Sequence, residues 1–317
     1  MTFHSISRRD ALKAGLAVAA GVTWGGSLPA LAEEKKHLAP ILKPIPSTGE
    51  KLPVIGLGTN AYGVKTEEEK KPLREVLSEM CKLGGKVIDT AQAYGKSELV
   101  IGELLKELGN RDQYFIATKS PTKGDYSNPE AVLNTSFNSL GVDKIDLIQI
   151  HQLGGIEQMI PAFQKAKEAG RVRYYGMSTS SDDHYDRMME CMKKYPLDFI
   201  QVDYSINNRN AAEGMLKVAA DRGMAVLANM PLGGRGKAAS TFAKVAGKEL
   251  PDWAAEIDAT TWGQVFLKYV VSHPAITAAI PGTTKPKHLA DNQGAGRGRL
   301  PDAAMRKEME KYWDSLG

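Results

Sequence analysis

The chain is short of cysteine, of aromatic residues and of long apolar runs. Two cysteines, Cys81 and Cys191, occur in 317 residues. They fall in separate predicted helices, with no CxxC and no His/Cys cluster. That pattern excludes the usual zinc and dithiol signatures and leaves two free thiols as the expectation. The apolar run at residues 14–24 is too short to span a bilayer, which needs about 20 residues, so stable membrane insertion is not expected. The formal charge of +4 is mild, and three cations against one acid in the first 32 residues supply half of it. Nothing there argues for a nucleic-acid partner. Gly294-Ala295-Gly296-Arg297-Gly298-Arg299 is basic but short and free of aromatics, so it reads as a solvated loop before a terminal helix. Gly56-Leu57-Gly58 has no third glycine at the spacing of a dinucleotide-binding loop, which weakens an open, doubly wound sheet as an alternative.

What is present begins with a targeting segment. Ser7-Arg8-Arg9-Asp10-Ala11-Leu12-Lys13 precedes a moderately apolar run and then Ala30-Leu31-Ala32, a small-x-small cleavage site. The order is that of a twin-arginine signal peptide over residues 1–32, engaging the twin-arginine export machinery and delivering a folded protein to the periplasm. An ordinary N-terminal helix is the alternative. Residues 33–50 read as a polar, proline-containing lead, and residues 51–317 as a single domain closed by a charged C-terminal helix.

Within that domain, eight short β-branched runs alternate with amphipathic segments: residues 54–59, 86–91, 114–119, 144–151, 172–179, 198–205, 224–231 and 276–282. Continuous apolar runs of this length suit strands covered on both faces. Strict alternation implies parallel pairing with right-handed crossovers, and eight units favour closure into a (β/α)8 TIM barrel of the α/β class. Asn128-Pro129-Glu130 predicts a helix start and Gly141 its end; Asn210 with Glu213 suggests a capping box. The connection after the seventh strand is long, and its glycine-rich start from Gly233 to Ser240 suggests a lid or ligand clamp.

Three successive strand ends carry the chemistry. Asp89 stands near the end of the second run, Lys119 closes the third and His151 the fourth, and Tyr94 stands in the loop after the second. In a barrel these side chains converge on the carboxyl-end mouth. When a carbonyl takes up hydride, charge builds on its oxygen and a proton must arrive. A phenol is too weak an acid to give one easily at neutral pH, and a neighbouring ammonium corrects this by stabilising phenolate. A buried ammonium needs a counter-ion, which Asp89 can provide, and an imidazole can orient the carbonyl. Positioned acids of this kind contribute roughly 100- to 10,000-fold.

These residues, with Leu57-Gly58-Thr59, Tyr175-Gly176-Met177-Ser178, Gln201-Val202-Asp203-Tyr204-Ser205, Pro231-Leu232-Gly233 and Ile280-Pro281-Gly282-Thr283, resemble the aldo-keto reductase superfamily from about Lys51 to Asn292. The resemblance implies a TIM-barrel oxidoreductase that reduces small aldehydes or ketones with NADPH, NADH being the alternative cofactor. It implies Tyr94 as acid, Lys119 and Asp89 as its tuning pair and His151 as orienting group. It further implies Ser178 and Gln201 on the nicotinamide carboxamide, with Thr179 where asparagine is common. Gly58, Thr59 and Asn60 would line the mouth, and Met230, Pro231, Leu232 and Gly233 would pass the ribose and pyrophosphate. Gly282, Thr283, Thr284, His288, Asp291 and Asn292 would meet the adenosine end. His288 stands where an arginine is usual and Gly282 where a lysine is; Ala228-Asn229-Met230 lacks the aromatic that often stacks on nicotinamide. Tyr62, Gln152, Leu153 and Trp253 are candidates for the substrate wall. A non-enzymatic exported binding protein on the same barrel is the alternative function.

Overall fold

The computed structural model describes residues 38–234 and 241–316. Its main sheet has eight parallel strands in sequential order: β3 (Leu57–Gly58), β4 (Val87–Asp89), β5 (Phe115–Lys119), β6 (Ile145–His151), β7 (Val172–Ser178), β8 (Phe199–Asp203), β9 (Ala225–Asn229) and β10 (Ala278–Ala279). Bridges from Ile55 to Ala279 and from Gly58 to Gly282 join the two edges. The expected (β/α)8 barrel is therefore the observed one. The seam strands are the shortest, and Pro281, with no N–H to give, interrupts the seam between those two bridges. Helices cover the outside, and the segment read as opening at Asn128 does so: the Asn128 side chain caps Ala131 N–H at 3.1 Å.

Alternate strand residues point inward. Val87, Phe115, Leu147, Tyr174, Phe199, Leu227 and Ala278 fill the barrel, and the rings of Phe115, Tyr174 and Phe199 meet with centroids 5.5–5.9 Å apart. This apolar plug leaves the polar inward residues to the last turn of each strand, at the carboxyl mouth.

Three sequence expectations are corrected. Residues 42–53 do not form a mere lead: β1 (Leu42–Pro44) and β2 (Lys51–Pro53) pair as an antiparallel hairpin. Its Ile45 and Leu52 are buried with the barrel-filling residues and so extend that core. Asn210 does not cap a helix. Its amide is spent on the Asp182 carboxylate at 2.5 Å, a 3-10 turn covers Asn210–Ala212, and the helix proper is Met215–Asp221. The Gly294–Arg299 stretch is not a solvated loop. Arg297 is buried and donates to the Leu38 and Leu83 carbonyls, while buried Lys268 donates to the carbonyls of Arg297 at 2.6 Å and Arg299 at 2.9 Å. Both cysteines are free thiols. The targeting segment and residues 235–240 of the suspected lid lie outside the described residues.

Candidate active site

A pocket of about 760 Å³ opens at the carboxyl ends of the strands. Asp89, Tyr94, Lys119 and His151 all line it. Lys119 is 1% exposed and Asp89 2%. An ammonium has three protons to place, and here each has an acceptor: Asp89 Oδ1 and Oδ2 at 2.7 Å and the Thr90 carbonyl at 2.8 Å. Burial pushes the Asp89 carboxyl above its ordinary range, while the Lys119 ammonium and a hydrogen bond from Gln201 pull it down. Behind them Gln149 donates to Gln201 at 2.9 Å, so a polar chain runs across the barrel from β6 through β8 to β4.

Tyr94 is held by its loop. Its N–H bonds the Ala91 carbonyl at 3.0 Å, and Gly95 follows in the left-handed region at φ 62°. A side chain at Gly63 would come within 2.8 Å of the Tyr94 carbonyl, so the loop after β3 presses directly on this turn. The Lys119 ammonium lies 5.2 Å from the centre of the Tyr94 ring, and the His151 ring meets that ring edge-on at 5.8 Å. The three ammonium protons are thus engaged by Asp89 and Thr90.

Of the other residues singled out from sequence, Gly58, Thr59, Asn60, Ser178, Thr179, Gln201, Met230, Pro231, Leu232, Gly233 and Gly282 line the same pocket. Thr283, Thr284 and His288 line an adjoining one with Lys285, sharing Gly58, Asn60 and Gly282 with the first. Asp291 and Asn292 line neither; the Asp291 carboxylate is taken by Thr261 at 2.9 Å and by Gln264 at 2.8 Å. Gln152 lines the main pocket and Tyr62 the adjoining one. Trp253 does neither and packs against Tyr312 at 5.9 Å, and Leu153 packs on the core. Sequence reasoning missed Ala93, Thr122 and Ser180, which all line the pocket. Their one signal is position, two to four residues past a functional strand end.

Asn229 and Asp203 are register partners at the ends of β9 and β8. Asn229 donates to the Thr179 carbonyl at 3.1 Å, which leaves its own carbonyl oxygen buried without a donor; Asp203 Oδ1 is in the same position. Burial, opposed by a hydrogen bond from Asn208 and reinforced by the Asp182 charge, raises the Asp203 carboxyl to about 6.

A parallel barrel with a buried ammonium–carboxylate pair, a phenol and an imidazole at its carboxyl mouth defines the class: a barrel enzyme equipped for proton transfer at a polarised oxygen. Residues 54–312 match the model of the Aldo/keto reductase family. The chain belongs to that family and is therefore an oxidoreductase by descent. It is 28% identical over 305 residues to the Schizosaccharomyces pombe aldo-keto reductase yakc [NADP(+)], covering 82% of this chain and 88% of that one. It is 32% identical over 201 residues to Bacillus subtilis YhdN, covering 58% and 59%. Among solved structures, an aldo-keto reductase from Klebsiella pneumoniae in complex with NADPH superposes with a TM-score of 0.69 at 21% identity, over 88% of this chain and 95% of that one.

The raised Asp203 value has a consequence for stability. A carboxyl whose folded value lies above its unfolded one binds its proton more tightly in the native state, so stability falls as pH rises between about 4 and about 6 and then stays level. Asp203→Asn should match the parent protein below pH 4 and exceed it by about 1–3 kcal/mol at pH 7.5. Urea unfolding at the two pH values measures the difference; a variant less stable at pH 7.5 would contradict the assignment.

Proposed function

We propose that the protein reduces a small aldehyde or ketone to the alcohol using NADPH, with Tyr94 as the general acid. The observation that carries this reading is the fully coordinated Lys119 ammonium beside the Tyr94 ring. Reduced nicotinamide supplies the hydride when bound. The chain's residues do the remainder. His151 and Tyr94 hold the substrate carbonyl oxygen between an imidazole and a phenol. As negative charge develops there, the phenol gives up its proton to that oxygen, and the Lys119 field stabilises the phenolate left behind. Asp89 keeps the ammonium charged and in place.

The pocket fits such a cofactor by its donor set. A carboxamide needs both a donor and an acceptor: the Ser178 hydroxyl would turn its proton to it from the long 3.2 Å bond it makes to the Ile150 carbonyl, and the Gln201 carbonyl, which accepts from Gln149, has a second lone pair to offer. Gly282 is an exposed strand-end position where a side chain would approach Asn60 Oδ1 to 3.2 Å, so glycine keeps the groove between the two pockets open. Thr283, Thr284, Lys285 and His288 line the far end, where anionic phosphate would meet hydroxyls, an ammonium and an imidazole. The yakc relative is named for NADP(+) and the Klebsiella neighbour holds NADPH, which supports the phosphorylated form over NADH.

Tyr94→Phe should lower carbonyl reduction roughly 100- to 10,000-fold while the dissociation constant for NADPH, read by fluorescence titration, stays within about twofold. NADPH should bind more tightly than NADH in the same titration. Reduction at the parental rate by Tyr94→Phe would remove the phenol from the mechanism.

The twin-arginine pattern around Arg8 and Arg9 supports export of the folded, cofactor-loaded protein to the periplasm. Replacing both arginines by lysine in the full chain should leave the protein uncleaved in the cytoplasmic fraction. Periplasmic recovery of that variant at the original level would dismiss the export reading.

A further inference from the structure

We infer, building on the cofactor assignment above, that Asp203 is a positioning residue: a proton on its carboxyl bridges to the Asn229 carbonyl oxygen, and binding of NADPH draws that proton onto the protein. Asn229 lines the main pocket. Asp203 lines neither pocket and is 7% exposed, so it acts through Asn229.

Two buried oxygens lack a donor here, Asp203 Oδ1 and Asn229 Oδ1. Their residues are register partners on adjacent parallel strands. Such strands lie about 4.8 Å apart, and register partners present their side chains to the same face. The Asn229 side chain also leans toward β8. Its amide reaches the Thr179 carbonyl at 3.1 Å, just past the end of β7, and β8 lies between β7 and β9 in the sheet. The amide therefore crosses the end of β8, where Asp203 stands. Each orphan oxygen is an acceptor with nothing to accept, and one proton between them satisfies both. Without it, two desolvated groups go uncompensated.

The surroundings of Asp203 favour that proton. Asp203 Oδ2 and Asp182 Oδ1 both accept from the Asn208 amide nitrogen, each at 3.2 Å, so two carboxyls share one donor. Burial raises the Asp182 carboxyl, but hydrogen bonds from Asn210, Asn208 and Tyr185 outweigh it and hold the group below its ordinary range. Asp182 is therefore ionised, and a second negative charge beside it is disfavoured. The Tyr185 phenol, at the start of the helix Tyr185–Lys194, feels both carboxyls; burial and their charges push it up, so it stays neutral. From β9 the facing group is the neutral Asn229. Among the described residues neither carboxyl has an ion-pair partner.

A cofactor seated on Asn229 removes the water above it. Loss of water disfavours a buried carboxylate, so the bound state holds the proton more tightly than the free one. In return the proton fixes Asn229, whose amide holds the Thr179 carbonyl beside Ser178, a residue assigned to the carboxamide.

The test is NADPH binding to the whole protein and to Asp203→Asn, by fluorescence titration from about pH 5.5 to about pH 8.5. Proton uptake at about pH 7 is read by calorimetry in two buffers of different ionisation enthalpy. The introduced amide can donate to Asn229 at every pH. Titration of the cofactor's own 2′-phosphate, and of His184, which bonds the Thr179 hydroxyl at 3.0 Å, is common to both proteins and cancels in their difference. The bound carboxyl keeps its proton above the free value of about 6. The parent's affinity should therefore run parallel to the variant's below about pH 6 and fall away from it above, by several-fold and at most about tenfold per pH unit. The parent should also take up more protons per NADPH than the variant. An infrared difference spectrum of the parent alone gives a second readout: adding NADPH at about pH 7 should gain the C=O band of a protonated carboxyl. Parallel affinity profiles throughout, proton uptake no greater than the variant's, or no such band would each overturn the inference alone. If NADPH binds neither protein at any pH, the cofactor reading falls with it.

Discussion

The ion pair between Lys119 and Asp89 is the constraint on which the rest of the site depends. Taking an ammonium and a carboxylate out of water costs several kcal/mol per ion, and only close geometry with every proton placed recovers it. Here the carboxylate takes two of the protons and the Thr90 carbonyl the third. That arrangement needs β4 and β5 in one register, with Asp89 beside Ala117 and Lys119 one inward step further along. It also needs the mouth loops drawn in, which Thr59 does by bonding the Asp89 carbonyl with both its N–H at 3.0 Å and its hydroxyl at 2.8 Å. Removing one partner would leave the other buried and unpaired, a loss of roughly 3–5 kcal/mol. The barrel thus fixes a charge 5.2 Å from the centre of the Tyr94 ring, the placement on which the proposed chemistry rests.

The barrel and its three polar strand ends, with Tyr94 in the loop after the first, could be read from sequence because both obey simple periodicities. Each strand is a compact apolar run, and the functional residue is its last inward position. What could not be read has local physical causes. The hairpin at residues 42–53 has strands of three residues with a proline ending each, so it carries no alternation long enough to register. The Gly294–Arg299 stretch looks like solvated chain, yet Arg297 is buried because it satisfies backbone carbonyls left over at Leu38 and Leu83. A composition-based reading has no access to such distant acceptors. Trp253 looked like a pocket residue from its place in the long connection, but its ring is used against Tyr312 in packing.

The two ends of the pocket were unequally legible. At the chemical end Asp89, Lys119 and His151 are pinned by strand register and Tyr94 by the turn that bonds its N–H to the Ala91 carbonyl. At the far end the contacts come from loops and a helix surface, where small shifts decide which side chain faces the groove. His288 and Lys285 face it, whereas Asp291 is drawn away by Thr261 and Gln264. The same logic explains why Thr122 and Ser180 escaped notice: they sit beyond the strands, and their place is set by loop-on-loop contact through Gly154 and by the bond from Gln152 to the Ser180 hydroxyl.

The claim that Lys119 and Asp89 work as one device can be measured directly by a double-mutant cycle on single-turnover carbonyl reduction with preloaded NADPH. The variants are Lys119→Met, Asp89→Asn and the two combined. Residues that act as a unit are strongly non-additive, so the combined variant should be about as slow as the slower single one. If instead the two losses multiply, each residue contributes on its own, and the coupled pair is not what drives the phenol.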